Sequence, residues 1–304
     1  MMNKNIVLDD YYVKTDDSGF IMSLKVDYAF KLVFGSEKHK NVLKGFLSAV
    51  LRKPKEYFED IKLINTELLK EFAEDKKGIL DIRAQTKERT QIDIEIQIMP
   101  TKYMTNRTLF YWSKMYLGQI KQGMKYTELK KCITINILDF EHVPLEKIHT
   151  VSHITEDETN YRMSDMLEIH YLELPKLEKE ECIINTDKEI LDWLYFINSN
   201  SEEGMKMFAE KNKDINEAYD AIKVASMSKE AKMAYEARIA EIMDSKTREY
   251  EAREAGKAEG RKEGREEGIE LTKKVFKLNV AGYSLEQIAD ECNISVSKVK
   301  EILE

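Results

Sequence analysis

The stretch LDIRAQTKERTQIDIEIQ, residues 80–97, contains two short runs in which apolar and polar residues alternate, separated by a polar segment. Alternation with a period of two is typical of β-strands that bury one face, because successive side chains point to opposite faces of a sheet. The second run puts its isoleucines on one face and Asp93 and Glu95 on the other. The stretch therefore predicts a β-hairpin with an apolar face and an acidic face.

The length of the hairpin loop decides whether Asp81 joins this acidic face. A shift of one residue in register moves every side chain to the opposite face, so an odd-numbered loop within QTKERTQ (85–91) is required. A five-residue loop places Asp81 opposite Glu95, and a three-residue loop places it opposite Asp93. An even-numbered loop with regular pairing would separate the acids.

Two interpretations of the acidic face remain open on alternation alone. Half-buried sheets commonly have a polar face in contact with solvent, where repulsion between carboxylates is small. Alternatively, hard oxygen ligands grouped on a rigid sheet suit Mg²⁺ or Mn²⁺, which usually takes one or two protein carboxylates.

The sequence on both sides of the hairpin predicts an α/β domain over residues 1–180. Residues 1–22 have no clear periodicity and predict an irregular arm. Apolar residues at helical spacing predict helices, and short isoleucine-rich runs predict strands. The predicted helices cover 23–35, 39–51 and 103–124, and the predicted strands cover 60–68, the hairpin, 131–140, 149–154 and 167–174.

Residues 181–270 predict a helical region that ends in a charged segment. Residues 246–270 contain seven Lys or Arg and eight Glu, with glycines at 256, 260, 264 and 268. On a helix these glycines lie almost in one row and would permit close approach of a partner helix. A loosely helical, flexible connector explains the same pattern, since each glycine disfavours a helix.

Residues 271–304 predict a separate tail of three short helices that resembles a helix-turn-helix. Ser284 and Gln287 form a capping-box pattern, and Ser295 is a candidate N-cap after the turn at Asn293. Few basic residues accompany the last helix. Oligomerisation or docking therefore competes with DNA reading as the role of the tail.

Composition excludes several classes of protein. The chain has 304 residues, 34% charged residues and a net charge of −8, so no global basic field attracts nucleic acid. Three cysteines without CxxC spacing, and no apolar run of transmembrane length, predict a soluble cytoplasmic protein without a membrane partner. His149, His153 and His170 lack the spacing of a zinc site. No nucleophile elbow or glycine-rich phosphate loop is present.

Five motifs in order carry a family resemblance: DYAFKxxFG (27–35), LDI (80–82), IEIQ (94–97), NRTLFYWSK (106–114) and QGMKY (122–126). Together they resemble the recombination-promoting nuclease (Rpn)/transposase family of the PD-(D/E)XK nuclease superfamily. The resemblance covers roughly residues 20–175. It implies a restriction-endonuclease-like core sheet flanked by helices, followed here by the long helical C-terminal region.

The resemblance also implies roles for individual residues. Asp81 corresponds to the motif aspartate and Glu95 to the second ligand of Mg²⁺ or Mn²⁺. Asp27 corresponds to the acid of the first helix. Gln97 stands where the superfamily usually has lysine, as in other Rpn-like chains, and a glutamine cannot act as a general base.

Basic and aromatic residues on the flanking helices are candidate phosphate contacts. Arg107 and Tyr111 are i, i+4 neighbours, so both can face the same cleft. Lys31 follows Asp27 by one helical turn. The competing interpretations are that Arg107 forms a salt bridge with an acid and that Tyr111 belongs to the core.

These observations support two hypotheses about function. The first is a metal-dependent DNA endonuclease that hydrolyses phosphodiester bonds and is associated with recombination or transposon-like elements. The second is a non-catalytic, degenerate nuclease fold that acts as an interaction protein. In both, the C-terminal helices are expected to form a homo-oligomer.

Overall fold

The strands of the described part of the chain form a large sheet and a small one. The computed structural model describes residues 11–15, 19–66, 81–184 and 186–304. Two short strands pair at the N-terminal side, and the others form one six-stranded sheet. The strands are β1 (Tyr12–Val13), β2 (Ile21–Met22), β3 (Lys62–Leu63), β4 (Ile82–Gln85), β5 (Gln91–Gln97), β6 (Cys132–Leu138), β7 (His149–Thr155) and β8 (Arg162–Glu173).

The six-stranded sheet is mixed, with the order β3-β4-β5-β6-β8-β7. β6 lies between β5 and β8 and runs parallel to both. The other neighbouring strands of the sheet pair antiparallel. Every residue of β6 is buried, as its near-continuous apolar sequence CITINIL predicts for a central parallel strand. The parallel strands leave their carboxyl ends at one edge, where ligands bind in open α/β sheets.

Helices cover the sheet and make up the C-terminal part of the described chain. They are α1 (Asp27–Phe34), α2 (Lys40–Leu51), α3 (Met104–Leu117), α4 (Glu180–Ile183), α5 (Lys188–Asn198), α6 (Glu202–Ala209), α7 (Lys213–Met227), α8 (Lys229–Val280), α9 (Leu285–Cys292) and α10 (Val296–Leu303). α3 joins β5 to β6. The Thr108 hydroxyl on α3 donates to Asn136 Oδ1 on β6 at 3.2 Å, which anchors the helix to the sheet.

An aromatic cluster joins α1, α2 and α5. Phe34, Phe46 and Trp193 are buried, and their ring centroids lie 5.4 to 5.8 Å apart. Their tilted and edge-to-face orientations are the ones that favour aromatic pairs beyond the burial of apolar area. The cluster fixes the position of α1, which carries two of the predicted site residues.

Gly45 permits the close packing of α2 against α7. A Cβ atom at this position would lie 2.7 Å from Cβ of Asp214. We expect Gly45→Ala to lower the free energy of unfolding by about 1 to 3 kcal/mol, because the helices must separate to admit the methyl group. Urea denaturation measures the effect, and Asn41→Ala, at an exposed position one turn earlier in the same helix, is the control. An unchanged urea midpoint in Gly45→Ala would contradict the tight packing.

The helix predicted over 103–124 ends earlier, at Leu117. The amide side chain of Gln119 explains the difference. Its Nε2 donates to the carbonyl of Lys130, and its Oε1 accepts from the amide of Lys130, both at 3.0 Å. These long-range bonds reverse the chain toward β6, and residues 118–131 contain only a short 3₁₀ turn.

Other boundaries also differ from the sequence prediction, including the start of β8, which is Arg162 and not residue 167. The arm over 1–22, predicted to be irregular, contains β1 and β2, although 1–10 and 16–18 lie outside the described residues. The strand predicted over 60–68 covers only Lys62–Leu63, and 67–80 lie outside the description. The first short helix predicted for the tail is the end of α8, because nothing breaks the helix before Gly282, whose φ is +85°.

The chain divides into two units, one up to Ala240 and one over Glu241–Glu304. In the second unit, the end of α8 packs with α9 and α10 around Val275, Ile288 and Val299. The predicted capping box of Ser284 and the N-cap of Ser295 are both present. The predicted domain limits at 180 and 270 stay predictions. Among the described helices, none combines the length and the apolar character needed to cross a membrane.

Candidate active site

The register of the β4–β5 hairpin places Asp81 across from Glu95. Ile82 pairs with Ile94, and one further step in this register brings Asp81 opposite Glu95. Five residues, 86–90, connect the two strands, which confirms the odd-numbered loop and selects the five-residue alternative. The predicted acidic face therefore includes Asp81.

Two hydrogen bonds tie the side chains of Asp81 and Glu95 to the opposite strand. The amide of Asp81 donates to Oε1 of Glu95 at 2.9 Å, and the amide of Ile96 donates to Oδ2 of Asp81 at 3.1 Å. Each carboxylate therefore accepts a hydrogen bond from a backbone amide across the hairpin, at or next to the position of the other acid. Like charges would separate on a flexible surface, but these bonds hold the two acids as neighbours.

Basic residues from two helices meet this pair of acids. Nζ of Lys31, on α1, lies 2.8 Å from Oδ1 of Asp81. A guanidinium nitrogen of Arg107, on α3, lies 2.9 Å from Oε2 of Glu95. The guanidinium carbon of Arg107 is 5.1 Å from the centre of the Tyr111 ring, within the range of a cation–π contact. The structure therefore brings these five predicted site residues together.

The acids lie in a poorly solvated environment. Glu95 is 2% exposed, and its burial, with the charge of Asp81 as the second cause, raises the pKa of Glu95 to about 7. Asp93 is 1% exposed, and burial followed by the charge of Glu95 raises the pKa of Asp93. Burial likewise raises the pKa of the Tyr111 hydroxyl. The positive charge of Arg107 only partly offsets the desolvation of the neighbouring acids.

Two buried oxygen atoms on the same strand lack partners. Oδ1 of Asp93 and Oε1 of Gln97 have no hydrogen-bond partner within the described parts of the chain. Both side chains follow the two-residue period of Glu95 and share its face of β5. Buried polar atoms are rarely left unpaired, so these oxygens indicate a place for a bound ion or water.

Asp27 has other contacts. Its Oδ1 accepts from Nε of Arg238 at 2.8 Å and from the amide of Tyr28 at 2.9 Å. Among the described residues, its hydrogen bonds and ion pair do not include Asp81 or Glu95. The structure therefore joins this predicted site residue to α8 and not to the acid pair.

The three histidines considered for zinc form a hydrogen-bonded chain with Glu168. Nε2 of His149 contacts Nδ1 of His170 at 2.8 Å, Nε2 of His170 contacts Glu168 at 2.8 Å, and Glu168 contacts His153 at 3.1 Å. Burial lowers the pKa of His149 to about 3. Over the described ranges, no group of three or more His, Cys, Asp or Glu is arranged to hold a metal ion.

A comparison with protein families gives a match that includes both the strand hairpin and its flanking helices. The model of the PD-(D/E)XK nuclease family transposases matches residues 24–252, well over half of the chain. The chain belongs to this family. Neither the curated proteins nor the solved structures contain a match. The six-stranded mixed sheet with its helices is the PD-(D/E)XK fold of this chain, and the family is one of nuclease-like hydrolases that act on DNA.

Two further acids of this PD-(D/E)XK protein lie near the site but are not among the site residues predicted from the sequence. Asp93 lies on the acidic face, and its position in the alternating run is the sequence feature that indicates it as a site residue. Asp139 directly follows β6 at the carboxyl edge, where its amide donates to the carbonyl of Gln97 at 3.0 Å. Its carboxylate lies 3.3 Å from Nζ of Lys25. An acid immediately after a buried parallel strand is the sequence signal that marks Asp139.

Proposed function

We propose that this chain is a metal-dependent DNA endonuclease that hydrolyses phosphodiester bonds. The observation that carries the proposal is the pair of the buried Glu95 and the partly buried Asp81, held by backbone hydrogen bonds in a member of a nuclease family. A protein that only needed a stable sheet would gain little from burying two adjacent carboxylates, since each loses its hydration. The pair is better explained by a positively charged ligand.

The residues present fit Mg²⁺ or Mn²⁺. Asp81 and Glu95 supply two carboxylates, and Mg²⁺ usually takes one or two from a protein. The unpartnered Oε1 of Gln97 adds a hard donor on the same face of β5. We propose Asp81 and Glu95 as the metal ligands. When bound, the metal ion supplies Lewis acidity toward the phosphate and lowers the pKa of a coordinated water.

The other site residues act on the substrate or on each other. Lys31 and Arg107 provide the positive charge that contacts phosphate oxygens, and Arg107 is suited to bidentate contact. The Tyr111 ring orients the guanidinium group. Gln97 contributes an amide that positions a ligand but does not remove a proton. Because Asp27 pairs with Arg238, we assign it a positioning role for α1, which carries Lys31.

Lys31 brings an ammonium group to the acids in a chain that has Gln97 at the usual lysine position. We expect Lys31→Met to lower the rate of DNA cleavage by about tenfold, because one charged contact to the phosphate is lost. Lys31→Arg keeps the charge and is expected to retain most of the activity. A plasmid-nicking time course measures the cleavage rate of both variants. Lys38→Met, in the short turn that follows α1, is the control. Equal activity of wild type and Lys31→Met would remove Lys31 from the site.

The direct test of the proposed function is cleavage of nucleic acid by the wild-type chain. Supercoiled plasmid, linear duplex, single-stranded DNA and RNA of the same sequence are incubated with Mg²⁺, Mn²⁺ or EDTA. The proposal requires nicking of DNA that depends on a divalent ion. Cleavage of RNA alone would preserve the site but change the substrate class.

The rival function is that of a non-catalytic interaction protein. One observation favours it: each acid of the pair already has a basic partner, Lys31 or Arg107. Absence of cleavage with every divalent ion and every substrate would select this function. The association with recombination or transposition, the cytoplasmic location and the homo-oligomer remain predictions from the sequence.

A further inference from the structure

A four-residue repeat runs through the C-terminal half of α8. Residues 256–267 read GKAE, GRKE and GREE, so that a glycine, a basic residue, a variable residue and a glutamate recur in this order. The repeat lies beyond the family match, which ends at residue 252. It needs an explanation other than the nuclease fold.

On a helix the repeat sorts its residues into rows. Four residues turn an α-helix by about 400°, so each position of the repeat forms a slightly inclined row along the surface. The glycine row is flanked by a basic row on one side and an acidic row on the other, each about 100° away. The basic row is Lys257, Arg261 and Arg265, and the acidic row is Glu259, Glu263 and Glu267.

This face of α8 is open. The residues of all three rows are exposed, and a Cβ atom added to Gly256, Gly260, Gly264 or Gly268 would meet no atom within 4 Å. Over the described residues of this helix, the basic row forms an ion pair only at Lys257, with Glu254, which belongs to neither row. The rows therefore have their charges available to a partner.

The arrangement disfavours an isolated helix. Within each row, like charges are four residues apart, the spacing at which they repel. The glycines further lower the helix propensity of the segment. A sequence that only needed a long soluble helix would place opposite charges at this spacing. Repelling rows beside a row of glycines are instead suited to contact with opposite charges on a second helix.

We propose that the partner is α8 of a second copy of this chain, packed parallel and in register along the glycine row. In a parallel pair related by a two-fold axis along the helices, the basic row of each helix faces the acidic row of the other. In an antiparallel pair, basic faces basic and acidic faces acidic. The charges thus select the parallel arrangement, and the glycines let the two backbones approach closely along the i, i+4 ridges.

The inference specifies the self-association that the sequence predicts for the C-terminal helices, and it does not depend on the nuclease proposal. Sedimentation velocity of the full chain measures the dimer dissociation constant. The variants K257E/R261E/R265E and E259K/E263K/E267K each leave only one sign of charge at the interface. Each is expected to raise the dissociation constant by at least about tenfold. All six positions are exposed, and circular dichroism verifies that the fold is retained.

The chain carrying all six substitutions is the matched control. It exchanges the two rows, restores opposite charges across the parallel pair, and is expected to dimerise within a few-fold of wild type. A second variant, G260L/G264L, places side chains where the two backbones would approach closely. It is expected to weaken the dimer while the helix content stays equal or rises. High salt is expected to weaken the wild-type dimer.

Several results would overturn the inference. A wild-type chain that stays monomeric at high micromolar concentration would exclude the pairing. A single-row variant that dimerises as tightly as wild type would show that the charges do not face opposite charges, as in an antiparallel pair or at another surface. Failure of the six-fold variant to dimerise, with its fold retained, would equally contradict the parallel register.

Discussion

Asp81→Asn and Glu95→Gln are each expected to lower divalent-ion-dependent DNA cleavage by at least about a hundredfold. Both substitutions keep the shape of the side chain but remove the negative charge that would hold the ion. The amides can still accept the hydrogen bonds from the amides of Asp81 and Ile96 that orient the native acids. The loss of activity would therefore arise from the charge and not from a displaced hairpin.

Glu88→Gln is the matched control, because Glu88 lies in the five-residue loop of the same hairpin and, among the described residues, its side chain is hydrogen-bonded only to the hydroxyl of Tyr57, at 3.3 Å. It removes one acid a few residues from the site and is expected to retain activity. Urea denaturation and circular dichroism establish that the variants fold. Cleavage at the wild-type rate by both Asp81→Asn and Glu95→Gln would show that the acid pair is not the metal site.

The contribution of Glu95 to the stability of the metal-free protein is expected to fall as the pH rises from about 4.5 to about 7, while the lowered pKa of His149 acts in the opposite direction over part of this window. Burial and the charge of Asp81 raise the pKa of Glu95 from its ordinary value of 4.5 to about 7. Between these values Glu95 holds a proton in the folded state that it has released in the unfolded state, so its contribution to the free energy of unfolding decreases with rising pH. The shift corresponds to about 3 kcal/mol, and the raised pKa of Asp93 acts in the same direction.

Glu95→Gln is expected to remove the contribution of Glu95, so the stability difference between the variant and wild type should change with pH. In EDTA at pH 8 the variant should therefore be more stable than wild type, by up to about 3 kcal/mol. Addition of Mg²⁺ at pH 8 is expected to stabilise wild type and to have little effect on Glu95→Gln, because only the wild-type site attracts the ion. Urea denaturation at pH 5 and pH 8 measures each effect. A stability difference between wild type and Glu95→Gln that stays constant from pH 5 to pH 8 would contradict the burial of Glu95.

The hairpin was predictable because its pattern is local. Alternation assigned Glu95 to the face opposite the isoleucines, and the requirement that both apolar faces meet one core demanded an odd-numbered loop. The structure has the five-residue loop, with Arg89 in the left-handed region at a φ of 68°. The choice between three and five residues depended on this turn conformation, which the polar loop sequence does not specify.

The end of α3 could not be predicted in the same way. The aromatic periodicity of 103–124 favoured one long helix, but the side chain of Gln119 binds the backbone of Lys130 and ends it at Leu117. Conversely, α8 continues where the sequence suggested a separate short helix. In both cases the boundary depends on the rest of the structure more than on the intrinsic preference of the segment.

The sequence by itself determined which residues share a face of the sheet and in what order the strands and helices follow, because these properties depend on periodicity over a few residues. Only the tertiary structure decided which basic groups meet the acids. Lys31 reaches Asp81 from α1, and Arg238, 211 residues away along the chain, pairs with Asp27. Such contacts depend on how helices pack across the sheet, and no local pattern encodes the partner of a charge that lies on another element.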